Sequence, residues 1–112
     1  MNKYHAVNTW SELTQRVFDS KAEARRGEEL ALLERGGVIS DLQYQVKFVL
    51  CDKPKVTITI DFAYVEDGTF GEYEIPVKVR KYEDTKGVLT RDFRTKLAWL
   101  EQLHGIRVTL SK

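Results

Sequence analysis

A single cysteine among 112 residues rules out an internal disulfide. A lone thiol suits a reducing compartment, and Cys51 follows an apolar run, so it reads as a strand-end thiol rather than a redox or catalytic group. No apolar stretch approaches the roughly 20 residues that span a bilayer, and the N-terminus lacks a signal-peptide hydrophobic segment. The expectation is a cytoplasmic protein with no membrane partner. Repeats, linkers and low-complexity segments are missing as well. Neither sign of charge is in excess, since 18 Lys and Arg face 17 Asp and Glu for a net +1. What is there is the make-up of an ordinary soluble domain, 42% hydrophobic and 31% charged. The length fits one domain over residues 1–112, with a single sheet and helices.

The near-neutral balance hides an uneven distribution. Residues 1–36 carry six cations and six anions, residues 37–77 three and seven (net −4), and residues 78–112 nine and four (net +5). An acidic middle joined to a basic end fits a site that holds a cation and then a polyanion, although chance unevenness in a small domain gives the same sums.

The pattern of apolar residues predicts the elements. Residues 1–18 are polar and irregular, anchored by His5, Trp10 and Phe18, and read as an arm or short strand. Ser20-Lys21-Ala22-Glu23 matches a capping box, opening a helix that runs to about Arg35 and stops at Gly36-Gly37. Its inward stripe is Glu23, Gly27, Leu30 and Leu33, so Glu23 extends the apolar face. From Leu42 the period becomes 2, with Tyr44, Val46, Phe48 and Leu50 on one face and Gln43, Gln45 and Lys47 on the other. Asp52-Lys53-Pro54-Lys55 is a turn, a second strand covers about Val56–Val65, and Glu66-Asp67-Gly68 signals a hairpin. A third strand runs from near Glu72 to about Lys86, edge-like or bulged around Pro76 and Lys78–Lys81, and broken by Gly87. Thr90 or Asp92 caps a second helix to about Leu103, with His104-Gly105 as its stop and a short strand through Ile106, Val108 and Leu110. The expected class is α/β (α+β): a mixed sheet flanked by helices, in the order α-β-β-β-α-β.

One constellation carries chemistry. Asp61 ends the alternating run Val56–Phe62 on the side of Thr57 and Thr59, an unusual place for an acid on a β-branched strand. Asp84-Thr85-Lys86 follows 23 residues later, and period-2 geometry puts Asp84 and Lys86 on one face with Thr85 on the other. A lysine two residues after a carboxylate points into the site that the carboxylate builds. Mg²⁺ prefers oxygen ligands and keeps several waters, so two or three carboxylates plus a phosphate oxygen suit it. Such a cation polarises a phosphate and lowers the pKa of bound water, while Lys86 neutralises developing charge. Arg91, Arg94 and Lys96, shortly after the strand, are placed to meet a DNA backbone.

Taken in order, Lys3-Tyr4-His5-Ala6, Phe18–Ala24, Gly37–Leu42 leading to Gln45, Asp61-Phe62, Glu83–Gly87 and Lys96 resemble the PD-(D/E)XK nuclease superfamily. More narrowly, the chain resembles a small phage and prophage family of endonucleases within it. The resemblance covers nearly the whole chain. It implies a restriction-endonuclease-like core and a Mg²⁺- or Mn²⁺-dependent DNA endonuclease working in the host cytoplasm. The family context implies phage recombination or repair, with branched DNA as a substrate and a homodimer as a partner state. It further implies Asp61 and Asp84 as metal-binding acids, Lys86 as the signature lysine, Glu23 as the first-helix acid and Gln45 as a strand residue bordering the pocket.

Plainer readings stand beside these. Glu23 can serve only the capping box, Asp61 can be a solvated strand end, and Asp84 with Lys86 can be a surface ion pair. Lys96 can be a surface lysine, Glu83 a structural residue facing away from Asp84, and Trp99 and Leu100 core rather than a dimer face. His5 and His104 lack ligand-like spacing. A non-catalytic nucleic-acid-binding or scaffold module with the same fold is the alternative function, and a protein-interaction adaptor the third.

Overall fold

A computed structural model describes residues 7–86 and 88–111. Eight elements follow one another: β1 Thr9–Ser11, β2 Arg16–Phe18, α1 Lys21–Arg35, β3 Ile39–Cys51, β4 Val56–Phe70, β5 Ile75–Thr85, α2 Arg91–His104 and β6 Val108–Ser111. Strands β3-β4-β5-β6 form one sheet in that order, and β1 with β2 form a small antiparallel pair. The connections 52–55 and 71–74 are too short for a crossover, so β3, β4 and β5 run antiparallel. β6 returns through α2 to lie parallel to β5, with Tyr82 opposite Val108 and Asp84 opposite Leu110. The result is an α+β chain with a mixed sheet and two helices, the order expected from sequence preceded by a hairpin. The motif Lys3–Ala6 and the strand-breaking Gly87 lie outside the described residues.

Both helices begin and end where local chemistry dictates. Ser20 Oγ accepts the Glu23 N–H at 3.0 Å, and α1 ends at Gly36, followed by Gly37 at φ +78°. Of the two candidate caps for α2, Thr90 takes the role, its Oγ1 accepting the Phe93 N–H at 3.2 Å. The helix closes on Gly105 at φ +68°, a left-handed position that glycine fills without a Cβ penalty.

The chain divides into two compact units. The first comprises the residues up to Leu42 and Tyr64–Arg80, the second Gln43–Ala63 and Lys81 onward. In the first, α1 packs on β1 and β2 and buries Glu23, Ala24, Gly27 and Leu30, which is the stripe read from sequence with Ala24 in place of the half-buried Leu33. The expected irregular arm is the β1–β2 hairpin, tied to the helix by Ser11 Oγ donating to Glu28 Oε2 at 2.6 Å. In the second unit, Leu50, Ile58, Ile60 and Leu100 form the core, with Phe48, Tyr82, Phe93 and Leu97 packed against it. Leu100 therefore belongs to the core, and Trp99 packs partly against it. Burial of a side chain such as Leu100 contributes about 1.5–3 kcal/mol.

One turn falls elsewhere than the sequence predicts. Glu66-Asp67-Gly68 is not the hairpin turn; β4 continues to Phe70, and the turn lies at 71–74 with Gly71 at φ +80°. Gly68 is a strand residue, and a Cβ there would come 2.9 Å from Val79 Cγ2. Its lack of a side chain serves close strand packing rather than a bend. Asp67 accepts an ion pair from Lys78 along the same ladder.

Candidate functional site

The site lies in the second unit, where β4 meets β5. Along β4 the even positions Ile58 and Ile60 enter the core, while Thr59 on the odd face is exposed. Asp61 continues that odd face yet is buried, 6% exposed. Along β5 the half-buried positions are Val77 and Val79, then Tyr82, with consecutive Arg80 and Lys81 both exposed between them. The alternation changes phase there, at the place where the sequence reads as bulged, and beyond Tyr82 the consecutive Glu83 and Asp84 are both buried.

The two aspartates hold one another's strands. Asp84 Oδ2 accepts the backbone N–H of Asp61 at 3.0 Å, and Asp61 Oδ2 accepts the backbone N–H of Thr85 at 2.9 Å. Each carboxylate thus takes a main-chain donor from the neighbouring strand, which fixes both groups without a flexible linker. Thr85 Oγ1 and Ser111 Oγ lie 3.1 Å apart, and the Lys86 N–H donates to Ser111 O at 3.0 Å, so β6 anchors the same strand end.

The remaining oxygens are less well served. Asp84 Oδ1 is buried and accepts no aligned hydrogen bond; Lys86 Nζ stands 3.2 Å from it as an ion pair. That ammonium is one-third exposed and sits 4.5 Å above the Phe93 ring centroid, so α2 supplies its second contact. Gln45 Nε2 reaches Asp61 Oδ1 at 3.5 Å, the outer limit of a hydrogen bond. The Gln45 backbone is left-handed at φ 53° in the middle of β3, an uncommon conformation for a non-glycine residue.

Two acids held this closely cannot both ionise cheaply. Asp61 is raised from 3.8 to about 6, first by burial and next by the charge of Asp84, against the opposing pull of the Thr85 N–H and Lys86. Asp84 is also raised by burial, with Lys86 the main opposing influence. Burial raises both carboxyls and each charge opposes the other, so the pair favours holding a proton between them under mildly acidic conditions. A cation between them would remove this cost.

The donor set fits a magnesium-type ion. Mg²⁺ is commonly held by one or two carboxylates, its other positions taken by waters and phosphate oxygens. Asp61 Oδ1 and Asp84 Oδ1 are the oxygens left for it. Among the described residues no group of three or more His, Cys, Asp or Glu side chains gathers as a metal cluster, so the pair stands without a third acid.

The other sequence candidates take various places. Glu23 is buried at 4% on α1 in the first unit. Arg91 and Arg94 are exposed on α2, whereas Lys96 pairs with Asp92 at 3.5 Å along the same helix. Glu83 is buried at 4%, opposite Thr109 in the β5–β6 register. His104 lies in the last turn of α2 with its ring 6.2 Å from Phe48. Cys51 ends β3 as a half-buried free thiol. Sequence reasoning missed the mutual capping of Asp61 and Asp84, because no spacing rule shows a carboxylate bonding a main-chain donor on another strand.

Residues 1–109 match the family described as "Protein of unknown function (DUF1064)", and the chain belongs to that family. No curated protein and no solved structure matches it. No helix among the described residues is long and apolar enough to cross a membrane.

Proposed function

We propose that the protein is a Mg²⁺- or Mn²⁺-dependent DNA endonuclease that hydrolyses phosphodiester bonds, with a restriction-endonuclease-like core. The observation that carries this reading is the pairing of Asp61 and Asp84 beside Lys86, with an Asp84 oxygen buried and short of a hydrogen bond. Asp61 and Asp84 are the residues that would hold the ion. A divalent cation there supplies concentrated positive charge against a phosphate and acidifies water.

The chain's own residues supply the rest. Reciprocal main-chain bonds hold both carboxylates rigid, so no reorganisation is needed when charge arrives. Lys86 stands at the exposed rim, one contact on Asp84 and one on Phe93, where its ammonium can meet the charge that grows on phosphate oxygens. Gln45 places an amide donor over Asp61 Oδ1 and orients that carboxylate. Arg91 and Arg94, exposed on α2, add positive charge for a polyanion. Branched DNA and a homodimeric state, which cutting two strands at a junction requires, belong to the same proposal.

The test is a nicking assay on supercoiled and branched DNA with Mg²⁺, Mn²⁺ or EDTA. Cleavage is expected only with metal, and Asp84→Ala and Lys86→Ala are each expected to lower it by about 10²–10³. Binding retained with no cutting under any metal would establish the non-catalytic module instead.

A further inference from the structure

We propose that the exposed odd face of β3 and β4, continued by the turn at 52–55, is the track along which a DNA strand reaches Asp61. The inference rests on the endonuclease reading for its end point, and on separate observations for its path. The contact of Gln45 with Asp61 puts the odd positions of β3 and β4 on one face, and the shared core of Phe48, Leu50, Ile58 and Ile60 puts the even positions on the other. On the odd face Gln43, Gln45, Lys47 and Thr59 are all exposed. At the far end, Lys53 and Lys55 are exposed in the turn.

Charge on this stretch runs against its surroundings. Residues 37–77 hold seven acids and three lysines, yet all three lysines, Lys47, Lys53 and Lys55, fall between Asp41 and Asp61 with Asp52 as the single acid. Apart from Asp52 in the turn, the stretch from Gln43 to Thr59 therefore presents cations, amides and hydroxyls with no carboxylate before Asp61. Amide, hydroxyl and ammonium groups are the donors that position nucleic-acid backbones. Val49 is the one large apolar side chain exposed on β3 between Gln43 and Cys51, too little for a lipid surface or an apolar protein interface. At about 3.3 Å per residue, the path from Gln45 to Lys53 spans roughly 26 Å, enough for several phosphates in series. Lys47 sits about 7 Å before Gln45, next to the site.

The experiment is fluorescence anisotropy of the full chain with a labelled DNA of about 20 nucleotides, single- and double-stranded, in EDTA over a range of salt. An RNA of the same sequence and the Arg91→Gln/Arg94→Gln protein serve as comparisons. The triple variant Lys47→Gln/Lys53→Gln/Lys55→Gln is expected to weaken DNA binding at least about tenfold at low salt. It should also reduce the slope of log K against log salt by about 2, at about 0.7 per lost contact on single strands. Equal affinity and slope in wild type and triple variant overturn the track, as does loss confined to the Arg91/Arg94 variant, binding confined to RNA, or no binding at all. Cleavage measured on the same proteins separates the two proposals. Metal-dependent cutting with no effect of the triple variant removes the track alone, whereas track-dependent binding without cutting removes the nuclease alone.

Discussion

Replacing Asp61 by asparagine removes a charge that burial and Asp84 both oppose, while keeping a side chain of nearly the same shape. The asparagine oxygen can still accept the Thr85 N–H, and its neutral amide sets no charge against Asp84. In the wild type Asp61 titrates at about 6 instead of 3.8. At about 1.36 kcal/mol per pH unit, keeping it ionised in the folded chain costs on the order of 3 kcal/mol at neutral to alkaline pH. A raised acid contributes stability that is fully present below its unfolded value and lost as pH rises through the folded one. The window is therefore about pH 4 to 6, and Asp84 shifts in the same direction. Urea unfolding of wild type and Asp61→Asn at intervals from about pH 4.5 to 8, without metal, measures this. Taking the difference at each pH removes the titration of the shared groups that do not interact with Asp61, and leaves the coupled pair of Asp61 and Asp84. Asp61→Asn is expected to gain on the wild type as pH rises, by up to about 3 kcal/mol, with most of the change complete by about pH 7. A difference that is flat with pH, or one in which the variant falls behind at alkaline pH, would refute the claim that the fold holds this carboxylate at a cost.

Two further substitutions test the frame around the site. Leu100→Ala empties the centre of the second unit's core and should cost about 2–5 kcal/mol in chemical denaturation, against less than about 0.5 for the exposed Leu103→Ala. Gly68→Ala places a methyl 2.9 Å from Val79 Cγ2 and should cost about 1–3 kcal/mol; a neutral result would mean that β4 bends at Gly68 after all.

The helices were legible because their signals are local. Ser20 three residues before Glu23, and Gly36-Gly37 beyond Arg35, specify both ends of α1 within a few bonds, and Thr90 and Gly105 do the same for α2. The pairing of Asp61 with Asp84 was legible in outline, since strand period fixes which residues share a face. Its details were not, because mutual capping depends on how two distant strands meet. The misplaced turn has the same origin. Glu66-Asp67-Gly68 has turn composition, but the strand pairing through Lys78 and Val79 outweighs local preference and carries β4 on to Phe70. The β1–β2 hairpin escaped notice because three-residue strands are too short to show a period. The left-handed backbone of Gln45 leaves no mark in composition at all.

Titration calorimetry of Mn²⁺ into the wild type, Asp61→Asn and Asp84→Asn, at about pH 7.5 in the absence of DNA, tests most directly whether this acidic pair grips a divalent ion. The wild type is expected to bind Mn²⁺, and both variants to lose that binding by tenfold or more. No heat from the wild type, or equal binding by all three proteins, would contradict it.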